Sequence, residues 1–185
     1  GVRRFGSVGK PLPGVRIEID KSVEGSKEED GEVLAYGENI MLGYHNLPDK
    51  TKESITPDGG LRTGDLGHLD ADGFLYITGR VKEQYKLENG KYVAPAPLEE
   101  SLKLSAYIDQ VMLYGFNRPH NVALIVAAMP AVEQYAEGLG ISGSSESILN
   151  EPRIRELFEE QLKRYGKDFK GYEHPQNFAL LSEEW

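Results

Sequence analysis

A short motif in the first half of the chain, RTGDLG at residues 62–67, supplies the first side chain whose type and setting could do chemistry. An aspartate held between glycines on a tight turn can present both carboxylate oxygens outward. Two acceptors on one rigid group suit a vicinal diol, such as the 2′ and 3′ hydroxyls of a ribose. The alternative is that Asp65 only caps its own turn, as Asp–Gly clusters often do. The motif alone leaves both interpretations open.

Two cations follow shortly after this motif. Arg80 ends the segment TGR, and its planar guanidinium could bridge a ribose hydroxyl and a phosphate. Lys82 lies at the junction between the two halves of the chain and could be a hinge that absorbs backbone rotation. The alternatives are a surface arginine near a domain boundary and a lysine that is merely exposed.

A second group of cations lies in the segment YKLENGKYV, residues 85–93. Its Asn-Gly pair is among the strongest short-range signals for a β-hairpin turn. Lys86 and Lys91 could offer point charges to a phosphate or to a developing oxyanion. Alternation along a strand also places Lys86 and Glu88 on one face, so a cross-strand ion pair with Lys91 would explain the charges equally well.

The overall composition excludes several classes of site. The chain has 185 residues, a formal charge of −9 and no cysteine. An acidic balance disfavours nucleic acid as a partner, because phosphate backbones bind basic surfaces. Without cysteine there is no disulfide framework, cysteine nucleophile or thiolate metal site. The 4 histidines show no ligand spacing, so no metal site is predicted.

The first part of the chain reads as strands and turns. Residues 15–20 alternate apolar and polar side chains, and residues 31–37 form a second predicted strand. Asp49 is predicted to cap a short helix. Residues 66–80 predict a hairpin of two apolar arms joined by a turn at residues 70–73.

The sequence pattern changes near residues 80–82, from strands and turns to a hairpin followed by helices and apolar runs. This change predicts a domain boundary there. Continuous apolar runs at residues 109–116 and 122–129 predict central strands that are covered on both faces. Residues 176–181 predict a last strand. A short predicted helix has Pro97 in its first turn, and a second spans about 130–138. A third runs from a cap at Asn150 to about residue 165 and has an apolar stripe. The fold class is therefore α+β.

The order of these motifs is more specific than any one of them. GSVGKPLPGVRIEI, GEVLAYGENIMLGYHNLPDKT, LRTGDLGHLDADGFLYITGRVKE and KYVAPAPLEE follow one another along the chain. In this order they closely resemble the adenylate-forming enzymes, which include acyl-CoA synthetases, luciferases and nonribosomal adenylation domains. The segments EQYKLENGKYVAP, QVMLYGFNRPHNVALIV and NFALL are most similar to bacterial long-chain fatty acid CoA ligases.

The resemblance implies an architecture and a reaction. Residues 1–80 would be the β-rich end of a large N-terminal domain, and residues 81–185 a small mobile domain with a β-hairpin and a mixed sheet flanked by helices. The family uses ATP and Mg²⁺ to convert a carboxylate into an acyl-adenylate, from which the thiol of coenzyme A displaces AMP. The mobile domain rotates between these two steps, so that two of its faces serve one active site.

The resemblance also implies roles for individual residues. Asp65 matches the ribose-binding aspartate, and Arg80 matches the arginine that contacts the ribose or phosphate of the nucleotide. Lys82 matches the hinge, and Lys86 the hairpin lysine that faces the adenylate during thioester formation. Gly90 lies in the turn that approaches pantetheine, although this chain has one more residue between Lys86 and Val-Ala-Pro than the luciferase-like pattern.

Some family motifs are not in this sequence. The phosphate loop and the Tyr-Gly-x-Thr-Glu segment would precede it, and the adenylation lysine would follow NFALLSEEW. The resemblance therefore implies part of a cytoplasmic ligase for a fatty acid, ATP and coenzyme A that is inactive alone. Peripheral association of the parent with the inner face of the membrane is an option, although no apolar run approaches the ~20 residues of a span.

Two alternatives to this function stay open. One is another acid–thiol ligase that takes an aromatic or a medium-chain acid, since the acyl pocket is not in this sequence. The other is a non-catalytic binding or regulatory module that kept the fold. The joint presence of Asp65, Arg80, Lys82 and Lys86 argues against such a module.

Overall fold

A computed structural model of the chain describes residues 3–24 and 29–184. The chain divides into two compact units, Gly1–Gln84 and Tyr85–Trp185. This division lies a few residues after the predicted boundary, and the roles of residues 1–80 and 81–185 as a large and a mobile domain stay a prediction. The α+β class is confirmed, because an antiparallel sheet and a mixed sheet occur together with helices.

The first unit is built on a four-stranded antiparallel sheet in which sequence neighbours pair, in the order β1-β2-β3-β4. Its buried core includes Val33, Leu34, Leu66 and Phe74. The predicted strands and the 66–80 hairpin are confirmed. The strands are β1 (Arg16–Asp20), β2 (Gly31–Tyr36), β3 (Leu61–Leu69) and β4 (Leu75–Arg80).

The turn between β3 and β4 is organised by one carboxylate. Asp70 Oδ1 accepts hydrogen bonds from the backbone N–H groups of Asp72 and Phe74, both at 2.9 Å. The Phe74 N–H contributes most to a lowered pKa of Asp70, and Arg4 adds to it. Gly73 takes a φ of +80°, which is why glycine follows the aspartates here.

The only α-helix of the described part of the first unit is α1 (Pro48–Ser54). The prediction that Asp49 caps it is wrong. The helix begins at Pro48, whose missing N–H has no helical partner in any case, and Asp49 lies in the first turn. The Thr51 hydroxyl instead closes the preceding loop by accepting from the Tyr44 N–H at 2.8 Å.

The second unit begins with a short hairpin and continues as a mixed sheet with helices. The hairpin pairs β5 (Tyr85–Lys86) with β6 (Tyr92–Val93). In the sheet, β8 is central, antiparallel to β7 and parallel to β9. The remaining elements are α2 (Pro95–Leu102), β7 (Ile108–Tyr114), β8 (Asn121–Ala127), α3 (Met129–Gly138), α4 (Ser145–Leu149), α5 (Pro152–Gly166) and β9 (Pro175–Leu181).

The core of this unit forms where the helices pack on one face of the sheet. The predicted apolar stripe of α5 is buried there, with Phe158 and Ile154 fully enclosed. On the opposite face, Met112 and Tyr114 of β7 are 44% and 48% exposed. The prediction of strands covered on both faces is therefore wrong for β7, because its side chains alternate between core and solvent.

The predicted cap of α5 is also wrong. Asn150 ends α4, where its Nδ2 donates to the carbonyl of Glu146 at 2.9 Å, and α5 begins at Pro152. An asparagine between two helical patterns can serve either helix, so the sequence did not distinguish the two roles. Within residues 3–24 and 29–184, no helix combines the length and apolar character needed to cross a bilayer.

Candidate functional site

The backbone around Asp65 departs from regular strand geometry. Glu32 and Leu34 of β2 pair with Leu66 and Arg62 of β3, so Val33 alone faces the three residues 63–65. Gly64 takes a φ of +74°, a left-handed conformation that costs glycine little. The result is a β-bulge at residues 63–65 that re-aims the side chains of this strand.

Several hydrogen bonds fix this bulge to β2. The Thr63 hydroxyl donates to the Val33 carbonyl at 2.9 Å and accepts from the Asp65 N–H at 3.0 Å. The Gly64 N–H donates to Glu32 Oε1 at 3.2 Å, while Glu32 Oε2 accepts from Arg62 Nη1 at 2.7 Å. The bulge is thus held on both sides of Gly64.

Asp65 and Arg80 are brought together as direct cross-strand partners on β3 and β4. Arg80 Nε lies 3.1 Å from Asp65 Oδ1, and the two side chains are 54% and 34% exposed. In this turn the Asp65 N–H donates to the Thr63 hydroxyl, and not to the Asp65 carboxylate. An exposed carboxylate beside a guanidinium can meet a ligand that carries both hydroxyl groups and negative charge.

A cleft of about 560 Å³ adjoins the bulge in the first unit. Its lining mixes both signs of charge, and the hydrogen bonds that Arg62 donates to Glu32 and, with a smaller effect, to Asp20 raise the pKa of Arg62 above its ordinary value. Arg62 therefore stays charged over the whole physiological range. The charged lining residues include Glu32, Lys50, Glu53, Arg62, Arg80 and Lys82.

Lys82 lies in a short 3₁₀ turn, Val81–Glu83, directly after β4 and just before the division between the two units. Its side chain is exposed. Arg80, which precedes this turn, is still in extended conformation, so the chain changes from strand to turn at this point. The position is compatible with a hinge, and that role stays a prediction.

The hairpin that carries Lys86 and Gly90 belongs to the second unit. Lys86 pairs across the strands with Tyr92, and its Nζ lies 5.1 Å from the centroid of that ring. Gly90 is exposed at the turn with a φ of +84°, and its N–H donates to the Leu87 carbonyl at 2.9 Å. Lys91 lies 4.6 Å from the centroid of the Tyr172 ring, a cation–π contact in place of the alternative ion pair with Glu88.

One buried amide holds this hairpin on its unit. Asn121 is 0% exposed; its Oδ1 accepts from the Tyr85 hydroxyl at 2.8 Å, and its Nδ2 donates to the carbonyls of Glu173 at 2.8 Å and Tyr172 at 3.2 Å. Burial raises the pKa of the Tyr85 phenol well above its ordinary value, and the negative charge of Glu99 adds to this effect. Tyr85 directly precedes Lys86, so this network fixes the start of the hairpin.

Sequence reasoning missed Glu32, Arg62, Tyr85 and Asn121. Glu32 and Asn121 are both buried polar residues at the start of otherwise apolar strands. A polar residue in a buried strand is the signal that could have identified them, since such groups need hydrogen-bond partners. Among residues 3–24 and 29–184, no group of three or more His, Asp or Glu side chains is placed to hold a metal ion.

Known proteins resemble this chain over most of its length. The family described as AMP-binding enzyme C-terminal domain matches residues 82–147. A putative fatty-acid–CoA ligase of Mycobacterium tuberculosis is 32% identical over 183 residues, which is 98% of this chain and 31% of that protein. These matches make the chain similar to adenylate-forming enzymes, with residues 82–147 matching their C-terminal domain. A human long-chain-fatty-acid–CoA ligase is 46% identical over 116 residues, covering 62% of this chain and 16% of the relative.

Solved adenylate-forming enzymes share the fold. The adenylation domain of a carboxylate reductase from Mycobacterium chelonae has a TM-score of 0.72 at 23% identity, covering 95% of this chain and 27% of that one. The O-succinylbenzoate coenzyme A synthetase of Bacillus subtilis, solved in complex with AMP, has a TM-score of 0.67 at 24% identity, covering 97% and 32%. Like these structures, the curated relatives named above are much longer than this chain, which spans under a third of each.

Proposed function

We propose that this chain is part of a long-chain fatty acid–CoA ligase. The parent protein would activate a fatty acid with ATP to an acyl-adenylate and then transfer the acyl group to coenzyme A, releasing pyrophosphate and AMP. The observation that carries the proposal is the Asp65–Arg80 pair, in which a half-buried carboxylate at the end of the bulge meets an exposed guanidinium of β4 beside a charged cleft. The names of the relatives, fatty-acid–CoA ligases of bacterial and human origin, support the same activity.

The first unit would bind the nucleotide. The Asp65 carboxylate has the acceptors for the two ribose hydroxyls, and the Arg80 guanidinium is close enough to that carboxylate to reach the adjoining phosphate. The cleft volume of about 560 Å³ admits a group of this size. Mg²⁺ would accompany the triphosphate of ATP and offset part of its charge.

The second unit would serve thioester formation. Negative charge grows on the departing AMP when the thiol attacks, and a cation placed before the reaction lowers that barrier. Lys86 is proposed as this cation, because the Asn121 network fixes the strand that carries it. The exposed Gly90 turn would approach the pantetheine arm of coenzyme A, and Lys82 would be the hinge that lets the second unit change position.

A second acid class has support of its own. A sulfoacetate–CoA ligase of Cupriavidus necator is 45% identical over 105 residues, 55% of this chain and 20% of that protein. This identity is similar to that of the human long-chain ligase, so this region does not separate the two classes of acid. An acid–thiol ligase for a short, medium-chain or aromatic acid is therefore the second candidate. We place the parent ligase in the cytoplasm, with peripheral contact at the inner face of the membrane.

The experiment is an acid panel on the full-length protein that contains this chain. Acyl-CoA formation is measured with ATP, Mg²⁺, coenzyme A and, in turn, palmitate, octanoate, benzoate, acetate and sulfoacetate. The proposal predicts the highest kcat/KM with palmitate. A preference for another acid would transfer the proposal to the second candidate, and no acyl-CoA with any acid would refute both.

The 185-residue chain alone is proposed to be inactive, because the family motifs for the phosphates and for adenylation are not in its sequence. Incubation of this chain with the same reagents should give no acyl-CoA above the protein-free blank. Turnover by the chain itself would contradict this part of the proposal.

A further inference from the structure

A buried carboxylate on the neighbouring strand holds the Thr63–Asp65 bulge together with the hydrogen bond from the Thr63 hydroxyl to the Val33 carbonyl. The Glu32 side chain is only 9% exposed, and its two oxygens are used separately. Oε1 accepts the Gly64 N–H at 3.2 Å, and Oε2 accepts Arg62 Nη1 at 2.7 Å. Glu32 therefore contacts the bulge residue directly before Asp65 and also the residue directly before Thr63.

The charge of Glu32 is compensated locally. The same Arg62 nitrogen also donates to Asp20 Oδ2 at 3.1 Å, which joins β1, β2 and β3 in one ionic network. A buried carboxylate is tolerated when it is both paired and hydrogen-bonded, and removing one partner leaves the other uncompensated. This network therefore favours one backbone path for residues 62–65 over others.

We propose that Glu32 is a positioning residue for ribose recognition. It acts through the backbone: it holds Gly64 in its left-handed conformation, and Gly64 sets the direction in which the Asp65 carboxylate leaves the strand. Carboxylate and diol must meet at hydrogen-bond distance, so a shift of about 1 Å in Asp65 is enough to lose the contact. The preference of the enzyme for a ribonucleotide over a deoxyribonucleotide thus depends on Glu32. This inference rests on the proposed function of the site.

Two variants and one control separate positioning from general stability. Glu32→Ala removes both contacts of the carboxylate. Glu32→Gln keeps an acceptor for the Gly64 N–H and loses the charge that pairs with Arg62. Glu18→Ala is the matched control, because Glu18 lies in the same sheet, pairs with Arg16 and has a side chain 49% exposed.

The readout is the ratio of kcat/KM for ATP to kcat/KM for 2′-deoxy-ATP in the pyrophosphate exchange of the full-length protein. Because 2′-deoxy-ATP lacks one of the two hydroxyl contacts, this ratio should be roughly 10 to 100 in the wild type. We expect Glu32→Ala to lower this ratio to below about 3. Glu32→Gln should recover at least half of the wild-type ratio on a logarithmic scale, and Glu18→Ala should leave the ratio unchanged. A loss of stability alone would lower both rates and leave the ratio as it was.

A wild-type ratio in Glu32→Ala would overturn the positioning role while leaving the proposed function intact. If the wild type shows no ATP-dependent exchange, the proposed function fails, and the positioning role is then judged by hydrogen exchange of the peptide covering residues 61–69. Glu32→Ala should speed exchange at Gly64 about 10-fold or more, and Glu32→Gln much less. Equal exchange in wild type and Glu32→Ala would overturn the inference independently of catalysis.

Discussion

The Asn121 network offers a sharp test of how the hairpin is held. Replacing Asn121 by Ala removes the acceptor of the Tyr85 hydroxyl and the donors to the carbonyls of Tyr172 and Glu173. The backbone bonds from the Asn117 N–H to the Lys86 carbonyl and from the Glu88 N–H to the Arg118 carbonyl, both at 2.9 Å, are left in place. The change therefore loosens one anchor of the hairpin and spares the other.

The magnitude follows from these contacts. Each hydrogen bond contributes about 1 kcal/mol net, and a buried carbonyl left without a partner costs about 1–3 kcal/mol. Glu173 is 2% exposed, so water does not readily replace the lost amide there, whereas the half-buried Tyr85 can find water more easily. We expect Asn121→Ala to destabilise the second unit by about 2–4 kcal/mol. Tyr85→Phe, which removes one donor, should cost about 1 kcal/mol.

Hydrogen exchange read by mass spectrometry is the suitable assay, because a chain with two compact units has no single free energy of unfolding. In Asn121→Ala, the peptide that covers residues 85–93 should exchange about 30-fold faster or more. Asn177→Ala is the control, since Asn177 is an exposed asparagine on the same sheet, and its exchange should match the wild type. Wild-type exchange at residues 85–93 in Asn121→Ala would refute the anchoring role.

Three further changes test the hairpin lysine, the core of the second unit and the buried phenol. Lys86→Ala in the full-length protein should slow thioester formation by about 100-fold or more while pyrophosphate exchange continues, and equal loss of both steps would contradict its assignment. Phe158→Ala should cost about 3–5 kcal/mol in urea unfolding of the second unit, because Phe158 is fully enclosed; a change below 1 kcal/mol would contradict that core. The raised pKa of Tyr85 means that its contribution to stability is full below its ordinary value of 10.0 and is lost as the pH rises toward the folded value. Tyrosinate absorbance should therefore show a group that titrates late in the wild type and is missing in Tyr85→Phe.

Elements with local signals were the ones that the sequence predicted well. The 66–80 hairpin and the strands of the first unit follow from alternation and from a turn that Asp70 and Gly73 specify within a few residues. The apolar stripe of α5 likewise depends only on helical spacing. The open face of β7 was missed because a continuous apolar run does not tell which of its two faces is packed.

The supports of the candidate site had no local signal. Glu32 and Arg62 are 30 residues apart, and Tyr85 and Asn121 are 36 residues apart. Each pair meets only because strands from different parts of the chain lie side by side. Asp65 and Arg80 could be singled out because their motifs are compact, whereas their direct contact became apparent only from the register of β3 and β4.

The central claim is that Asp65 binds the ribose of ATP, and pyrophosphate exchange tests it most directly. The full-length protein is incubated with palmitate, ATP, Mg²⁺ and labelled pyrophosphate, and label in ATP is followed for wild type and Asp65→Ala. We predict acid-dependent exchange in the wild type and a fall in kcat/KM for ATP of roughly 100-fold or more in Asp65→Ala, because two hydroxyl contacts are lost. Wild-type exchange by Asp65→Ala would contradict it.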